Sequence, residues 1–244
     1  MKVYLAGFET AYNIWKESTE NIYILSSYIN HQNGECPKYM KQDRHILDSG
    51  AYSAMNGTLK NIDWDKYVEN YADFIAKNNI KHFIEMDIDS VVGLEKVEQL
   101  REKLEKITKK KCIPVWHRSR GEKYFLQMIK NYDYVALGGF AINEWKKKDY
   151  KYINWFLEKA KENNCKIHGL GITGIDVLKK YKFYSVDSTS WLAGSKYGEV
   201  CMFRNGFPVR IKKKLNKRVK DYKDLNLYNF KQWIKFQKYA EEYL

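Results

Sequence analysis

Several short apolar runs in this 244-residue chain end on residues able to do chemistry. Ile46-Leu47 leads into Asp48-Ser49-Gly50-Ala51-Tyr52-Ser53, and Phe83-Ile84-Glu85-Met86 leads to Asp87 and Asp89. Val115-Trp116 ends at His117, Val135-Ala136-Leu137 at Gly138-Gly139-Phe140, and Ile167-His168 at Gly169-Leu170-Gly171. Tyr184-Ser185-Val186 ends on Asp187. A buried strand that stops on a carboxylate, an imidazole or bare backbone delivers that group to the lip of a barrel or open sheet. The repetition points to one site, with Asp48, Ser49, Asp87, Asp89, His117, Gly138, Gly139, His168 and Asp187 on one rim.

Carboxylates gathered in this way support two chemistries. With histidine they bind a metal ion. Alternatively, one attacks an anomeric carbon while another moves protons. Glycines at strand ends let a flat ring lie against the main chain. Blander readings stand beside these. Asp48 and Asp187 each precede small polar residues and suit turns. Asp87 and Asp89 share a face if their strand continues, and one of them then serves as a structural hydrogen-bonder. His117, beside Arg118 and Arg120, fits a plain surface as well as a site. Tyr52 and Phe140 either pack in the core or sandwich a base.

The elements that must position these residues alternate. Strand-like runs cover Lys2–Ala6, Asn21–Ser26, His45–Leu47, Lys81–Met86, Lys111–Trp116, Tyr134–Leu137, Lys166–Leu170 and Phe183–Val186. A short helix is predicted within Gly7–Thr19, and His31–Arg44 reads as a loop. Ile62–Asn78 has helical spacing, with Asp63 placed to cap it. Further helices are marked by Leu94–Ile107, Tyr124–Ile129, Tyr152–Ala160, and Ile175–Tyr181 with Thr173 as cap. Eight strands alternating with amphipathic helices predict an α/β fold of the (β/α)8 barrel type over residues 1–195. A doubly wound open sheet is the alternative, although the late Gly169-Leu170-Gly171-Ile172-Thr173-Gly174 is weak support for it. Residues 196–244 form a short basic extension: a hairpin over Gly198–Ile211 turning at Asn205-Gly206, a basic stretch from Arg210 to Lys223, and a last helix over Leu227–Leu244 packed on the barrel.

The formal net charge is +13, from 43 Lys and Arg against 30 Asp and Glu. Such an excess suits a polyanionic partner, though Lys-rich compositions also arise without one. Four dispersed cysteines, without a CxxC pair, indicate neither a zinc knuckle nor a disulfide framework. No run reaches the length of a membrane span, and the first residues hold too short an apolar run for a signal peptide. A soluble, cytoplasmic protein without membrane contact is expected.

The ordered set of motifs resembles the tRNA-guanine transglycosylase superfamily. Asp48-Ser49-Gly50-Ala51-Tyr52-Ser53 is similar to the Asp-Ser-Gly-Gly-Phe-Gln motif of the tRNA enzymes. It is closer to the Asp-Ser-Gly-Ala-Phe-Ser form of their phage-type relatives, which place 7-deazaguanines in DNA. Met86-Asp87, Leu137-Gly138-Gly139-Phe140-Ala141, His168-Gly169-Leu170-Gly171-Ile172-Thr173 and Phe183-Tyr184-Ser185-Val186-Asp187-Ser188 resemble later family segments in the same order. The likeness spans roughly residues 1–195.

The resemblance implies a base exchange. Asp187 would attack C1′ of a target guanosine, and Asp48 would serve as general acid and base. Asp87 and the Gly138-Gly139 main chain would read the base. Asp89, His117, His168, Gly169, Ser49, Gly50, Tyr52 and Phe140 complete the expected base site. Arg118, Arg120, Arg210, Lys212, Lys213, Lys214, Lys217 and Arg218 would contact phosphates. Two departures matter. The zinc ligands of the tRNA enzymes are missing, since only Cys201 lies in that region and no His follows His168. The family's Gln on the fifth strand gives way to Trp116-His117. No cofactor and no metal are therefore implied, and DNA is favoured over tRNA as acceptor. The rival functions are a tRNA-guanine transglycosylase, an N-glycosidase or transferase acting on free nucleosides or nucleotides, and a non-catalytic nucleic-acid-binding barrel. A metal-dependent hydrolase ranks last.

Overall fold

A computed structural model describes residues 1–7, 9, 22–41, 43–54, 62–140, 142, 144–172, 174–211 and 222–244. Its centre is a parallel sheet of seven strands: β1 (Lys2–Ala6), β2 (Ile24–Ser27), β3 (His45–Asp48), β4 (Val115–Trp116), β5 (Tyr134–Leu137), β6 (Lys166–Gly169) and β7 (Ser185–Ser188). Their order is β3-β2-β1-β7-β6-β5-β4. The sheet curls through 228° and stays open, so it is a half-barrel and not the closed eight-stranded barrel expected from the sequence.

The missing strand is the expected Lys81–Met86. Only Phe83 and Ile84 pair there, as isolated bridges to Leu47 and Ile113. The physical reason lies at the next ladder position. Ile113 donates its N–H to the Phe83 carbonyl, and Glu85 donates its N–H to the Ile113 carbonyl. The N–H of Val115 then bonds to the side-chain Oε1 of Glu85, not to a main-chain carbonyl. The expected strand Lys111–Trp116 shrinks to β4 for a related reason. Pro114 has no N–H, so it accepts from Ala136 but returns no bond.

Alternation along the strands splits the interior in two. Val3, Leu5, Ile24 and Leu47 face the helices on the convex side. Tyr4, Ala6, Tyr23, Leu25, Ile46, Val115, Tyr134 and Ala136 fill the concave side. The helices α1 (Trp64–Asn78), α2 (Leu94–Thr108), α3 (Gly121–Asn131), α4 (Ile153–Glu162) and α5 (Ile175–Lys180) cover the outside. Asp63 caps α1 by accepting the Lys66 N–H, as its position predicts. Tyr71 on the buried face of α1 sets its hydroxyl 3.0 Å from the carbonyls of both Leu47 and Ile84, which clamps the helix to the sheet edge. The expected cap Thr173, and the helix expected within Gly7–Thr19 apart from Gly7 and Glu9, lie outside the described residues. Two 3-10 turns, Tyr28–His31 and Lys38–Lys41, occupy the stretch around the expected loop.

The hairpin forms as expected, from β8 (Val200–Arg204) and β9 (Phe207–Ile211). Asn205 and Gly206 turn it with φ of 49° and 85°, the left-handed pair that two-residue hairpins favour. The last helix, α6 (Tyr222–Tyr243), buries Phe230, Trp233 and Phe236. Gln237 on α6 donates to the carbonyls of Val3 and Tyr23, fastening the C-terminal segment to β1 and the start of β2. Among the described residues no helix is long and apolar enough to cross a membrane.

Candidate active site at the strand ends

A cavity of about 670 Å3 opens where the strands end. Asp48, Tyr52, Asp87, Asp89, His117, Gly138, Gly139 and Asp187 all line it, as the strand-end rule predicts. The structure adds Glu144, Ser90, Ser119, Leu25, Leu170, Gly171 and Thr189. Tyr52 is half exposed at the mouth of the cavity.

Asp48 ends β3. Its Oδ2 accepts the N–H of Gly50 at 2.9 Å, so the turn reading and the site reading are both satisfied by one side chain. Gly50 has φ +71°, and a Cβ there would meet Ser27 Oγ at 2.6 Å, so only glycine fits this turn. Burial pushes the Asp48 carboxyl up to about 7, and the negative charges of Asp87, Asp187 and Glu9 add to the rise against the Gly50 hydrogen bond. Glu9 itself accepts the Ser27 N–H and is raised by its own burial.

His117 follows β4. Its Nε2 lies 2.9 Å and 3.0 Å from the two Asp87 oxygens, and its Nδ1 lies 3.1 Å from Glu144 Oε2. Burial disfavours the imidazolium, yet the hydrogen bonds and charges of Asp87 and Glu144 outweigh it and push His117 up to about 9. The ring fits because residue 138 is glycine: a Cβ there would stand 2.6 Å from His117 Cε1. Gly138 spends its N–H on Trp116 and its carbonyl on Trp145 Nε1.

Behind this wall lies a buried ion cluster. Arg120 Nη1 donates to Glu85 Oε1 at 2.8 Å and its Nε to Asp89 Oδ2 at 2.9 Å, while Nη2 lies 3.9 Å from Asp87. Arg101 Nε completes it with a 2.6 Å bond to Glu85 Oε2. Asp87, Asp89 and His117 offer three ligand atoms within 4.8 Å of one another, a possible metal set. Arg120 and His117 already supply positive charge to those carboxylates, so the group is balanced by side chains.

Asp187, in β7, accepts the Gly171 N–H on Oδ1 at 2.6 Å. His168 is fully buried, its Nε2 3.4 Å from the same oxygen. It therefore stands behind Asp187 and does not line the cavity. Ser49 is buried too and spends its carbonyl on Tyr67, holding the turn. Gly169 packs against Ile172 and Phe183. Phe140 stacks on Trp145 at 5.0 Å and belongs to the core.

The residues assigned from sequence to phosphate contacts divide. Arg120 is buried in the ion cluster. Arg118 is half exposed and bonds Asp149 at 2.8 Å. Arg210, on the hairpin, bonds Ser190 Oγ. Lys212, Lys213, Lys214, Lys217 and Arg218 lie outside the described residues.

The sequence reading missed Glu144 and Glu9. Glu9 comes three residues after β1 and acts on Asp48 through its charge. Glu144 carries no strand-end signal; it is set against Gly139, whose carbonyl accepts the Glu144 N–H. The site thus holds an acid poised to exchange protons near neutrality, a second carboxylate fixed by main chain, and an imidazolium clasped between two acids. No family model matches the chain, and a search of curated proteins returns no match.

Proposed function

We propose that the chain is a base-exchange transglycosylase that replaces guanine in nucleic acid, DNA before tRNA, with a 7-deazaguanine derivative. The observation that carries this reading is the pairing of Asp48 with Asp187 in one cavity. Their surroundings differ as an acid/base and a nucleophile require: Asp48 is raised to about 7, while Asp187 is oriented by the Gly171 N–H.

In the first half-reaction an Asp187 oxygen bonds to C1′ as the C1′–N9 bond breaks. The bonding electrons leave with guanine, which takes the proton of Asp48. In the second, the entering base gives a proton to Asp48 and its nitrogen attacks C1′, which frees Asp187. The start and end states of the enzyme are identical and no atom changes oxidation state, so the exchange balances without an oxidant or reductant. Both N–H groups of an imidazolium His117 are taken up by Asp87 and Glu144, so the base meets these two acids, not the ring. Acids at this wall suit the N–H and amino donors of a guanine edge. A base must leave its stack to reach the cavity, and Tyr52 at the mouth offers a ring to hold it. The net charge of +13 suits a phosphate backbone, and a cytoplasmic setting follows from such a substrate.

The test is exchange of labelled guanine and of labelled 7-deazaguanine bases into duplex DNA and into bulk tRNA, with Asp187→Asn as control. Label in DNA that disappears in the variant is the expected result. Label in tRNA alone moves the acceptor. No label in either, or full exchange by Asp187→Asn, overturns the reading.

A further inference from the structure

A fully buried histidine with one nitrogen bonded and the other unbonded stands directly behind Asp187. His168 Nδ1 lies 2.6 Å from Ser185 Oγ, and Ser185 Oγ lies 2.5 Å from the Tyr134 hydroxyl. His168 Nε2 has no hydrogen-bond partner among the described residues and sits 3.4 Å from Asp187 Oδ1. A buried polar nitrogen without a partner is costly, so its neighbour is informative.

We infer that His168 is a positioning residue: its Nε2–H closes onto Oδ1 when substrate binds and locks the Asp187 carboxylate so that Oδ2 attacks. This rests on the proposed base exchange. The chain of hydroxyls can run either way, and the Asp187 contact chooses between the two. With Tyr134 donating to Ser185 Oγ and Ser185 donating to His168 Nδ1, the proton is left on Nε2. The opposite ordering would direct an Nε2 lone pair at a carboxylate oxygen, and two acceptors repel. Gly171 N–H already holds Oδ1, so a second donor closing onto that oxygen stops rotation of the carboxylate. Among the described residues no hydrogen bond reaches Oδ2. In the reacting complex the Nε2–Oδ1 contact shortens into a hydrogen bond, Oδ2 bonds to C1′, and the C1′–N9 pair leaves with the base. His168 keeps its proton throughout. Its ring is fixed by the edge of Tyr4, 5.9 Å away between centroids.

Two measurements test this. The first is the tautomer of His168 in 15N-histidine-labelled protein, by long-range 1H–15N correlation. The Nε2–H form, with a shift that moves in Asp187→Asn, is expected; the Nδ1–H form overturns the inference whether or not the enzyme exchanges bases. The second is single-turnover formation of the covalent DNA complex, alongside DNA affinity. His168→Phe should slow the covalent step about 10- to 100-fold with DNA affinity unchanged, and His168→Gln, whose amide N–H can replace Nε2–H, should recover most of the rate. Equal rates in all three proteins overturn the positioning role. Absence of a covalent complex in the parent refutes the base exchange instead and leaves the tautomer measurement to decide the contact. Thermal melts identify a variant that fails to fold, and the tautomer measurement on the parent protein stands in that case.

Discussion

Val115 gives its main-chain N–H to the Glu85 side chain at 2.7 Å, at the position where a parallel ladder would use a carbonyl. One carboxylate thereby ends a strand, anchors Arg101 and Arg120, and supports the wall on which Asp89 sits. Glu85→Gln keeps the shape and removes the charge that two buried guanidinium groups share. The expected loss is about 3–5 kcal/mol in urea unfolding, because two buried cations lose their common partner. A loss below about 1 kcal/mol would show that the cluster does not hold the sheet edge.

His117 makes the clearest titration. Its midpoint by NMR should be about 9, against an ordinary 6.5. The folded value lies above the unfolded one, so the stabilisation is complete below 6.5, declines as pH rises, and is gone above about 9. Glu144→Gln removes one of the two acids and should lower the midpoint and narrow that window. A midpoint near 6.5 in the parent protein would rule out the double ion pair.

Asp48 carries the opposite sign. The folded chain holds its proton to about 7, whereas the unfolded chain releases it near 3.8. Its cost to stability therefore grows between those values and is constant above them. Asp48→Asn should be more stable than the parent at about pH 8, by about 1–3 kcal/mol, with the gain vanishing toward about pH 4. The same variant should lose about 100- to 10,000-fold in exchange rate, and exchange by the parent should fall above its Asp48 midpoint. A variant that is less stable at every pH would contradict the burial argument.

Gly138 leaves room for an imidazole. A Cβ there meets His117 Cε1 at 2.6 Å, Nε2 at 2.7 Å and Val115 Cγ1 at 2.9 Å. Gly138→Ala should cost about 1–3 kcal/mol and shift His117 off Asp87, which lowers the histidine midpoint. An unchanged midpoint would show that the backbone yields instead of the ring.

Much of the site was legible because strand ends are local. An apolar run followed by Asp48, Asp87, His117, Gly138 or Asp187 marks the rim wherever the strands pair, and all of these reach the cavity. The hairpin was legible because Asn205-Gly206 adopts its backbone conformation with little help from distant contacts. Asp63 was legible because capping acts over three residues. His168 and Gly169 were misread for a related reason. They sit within the same strand-end signal, but its alternation of faces does not tell a cavity wall from the layer beneath it.

What the chain determined by itself was therefore the set of elements and the residue types delivered to one rim, since hydrophobic period and turn chemistry are properties of neighbours in sequence. Tertiary structure alone decided that the expected strand Lys81–Met86 shrinks to isolated bridges, its pairing ending where a Glu85 side chain takes the bond that a strand carbonyl would have accepted. It also decided that Arg120 is buried, that Glu144 clasps His117, and that His168 backs Asp187. Each of these joins residues at least nineteen positions apart, and no local pattern encodes a contact that exists only once the sheet has curled.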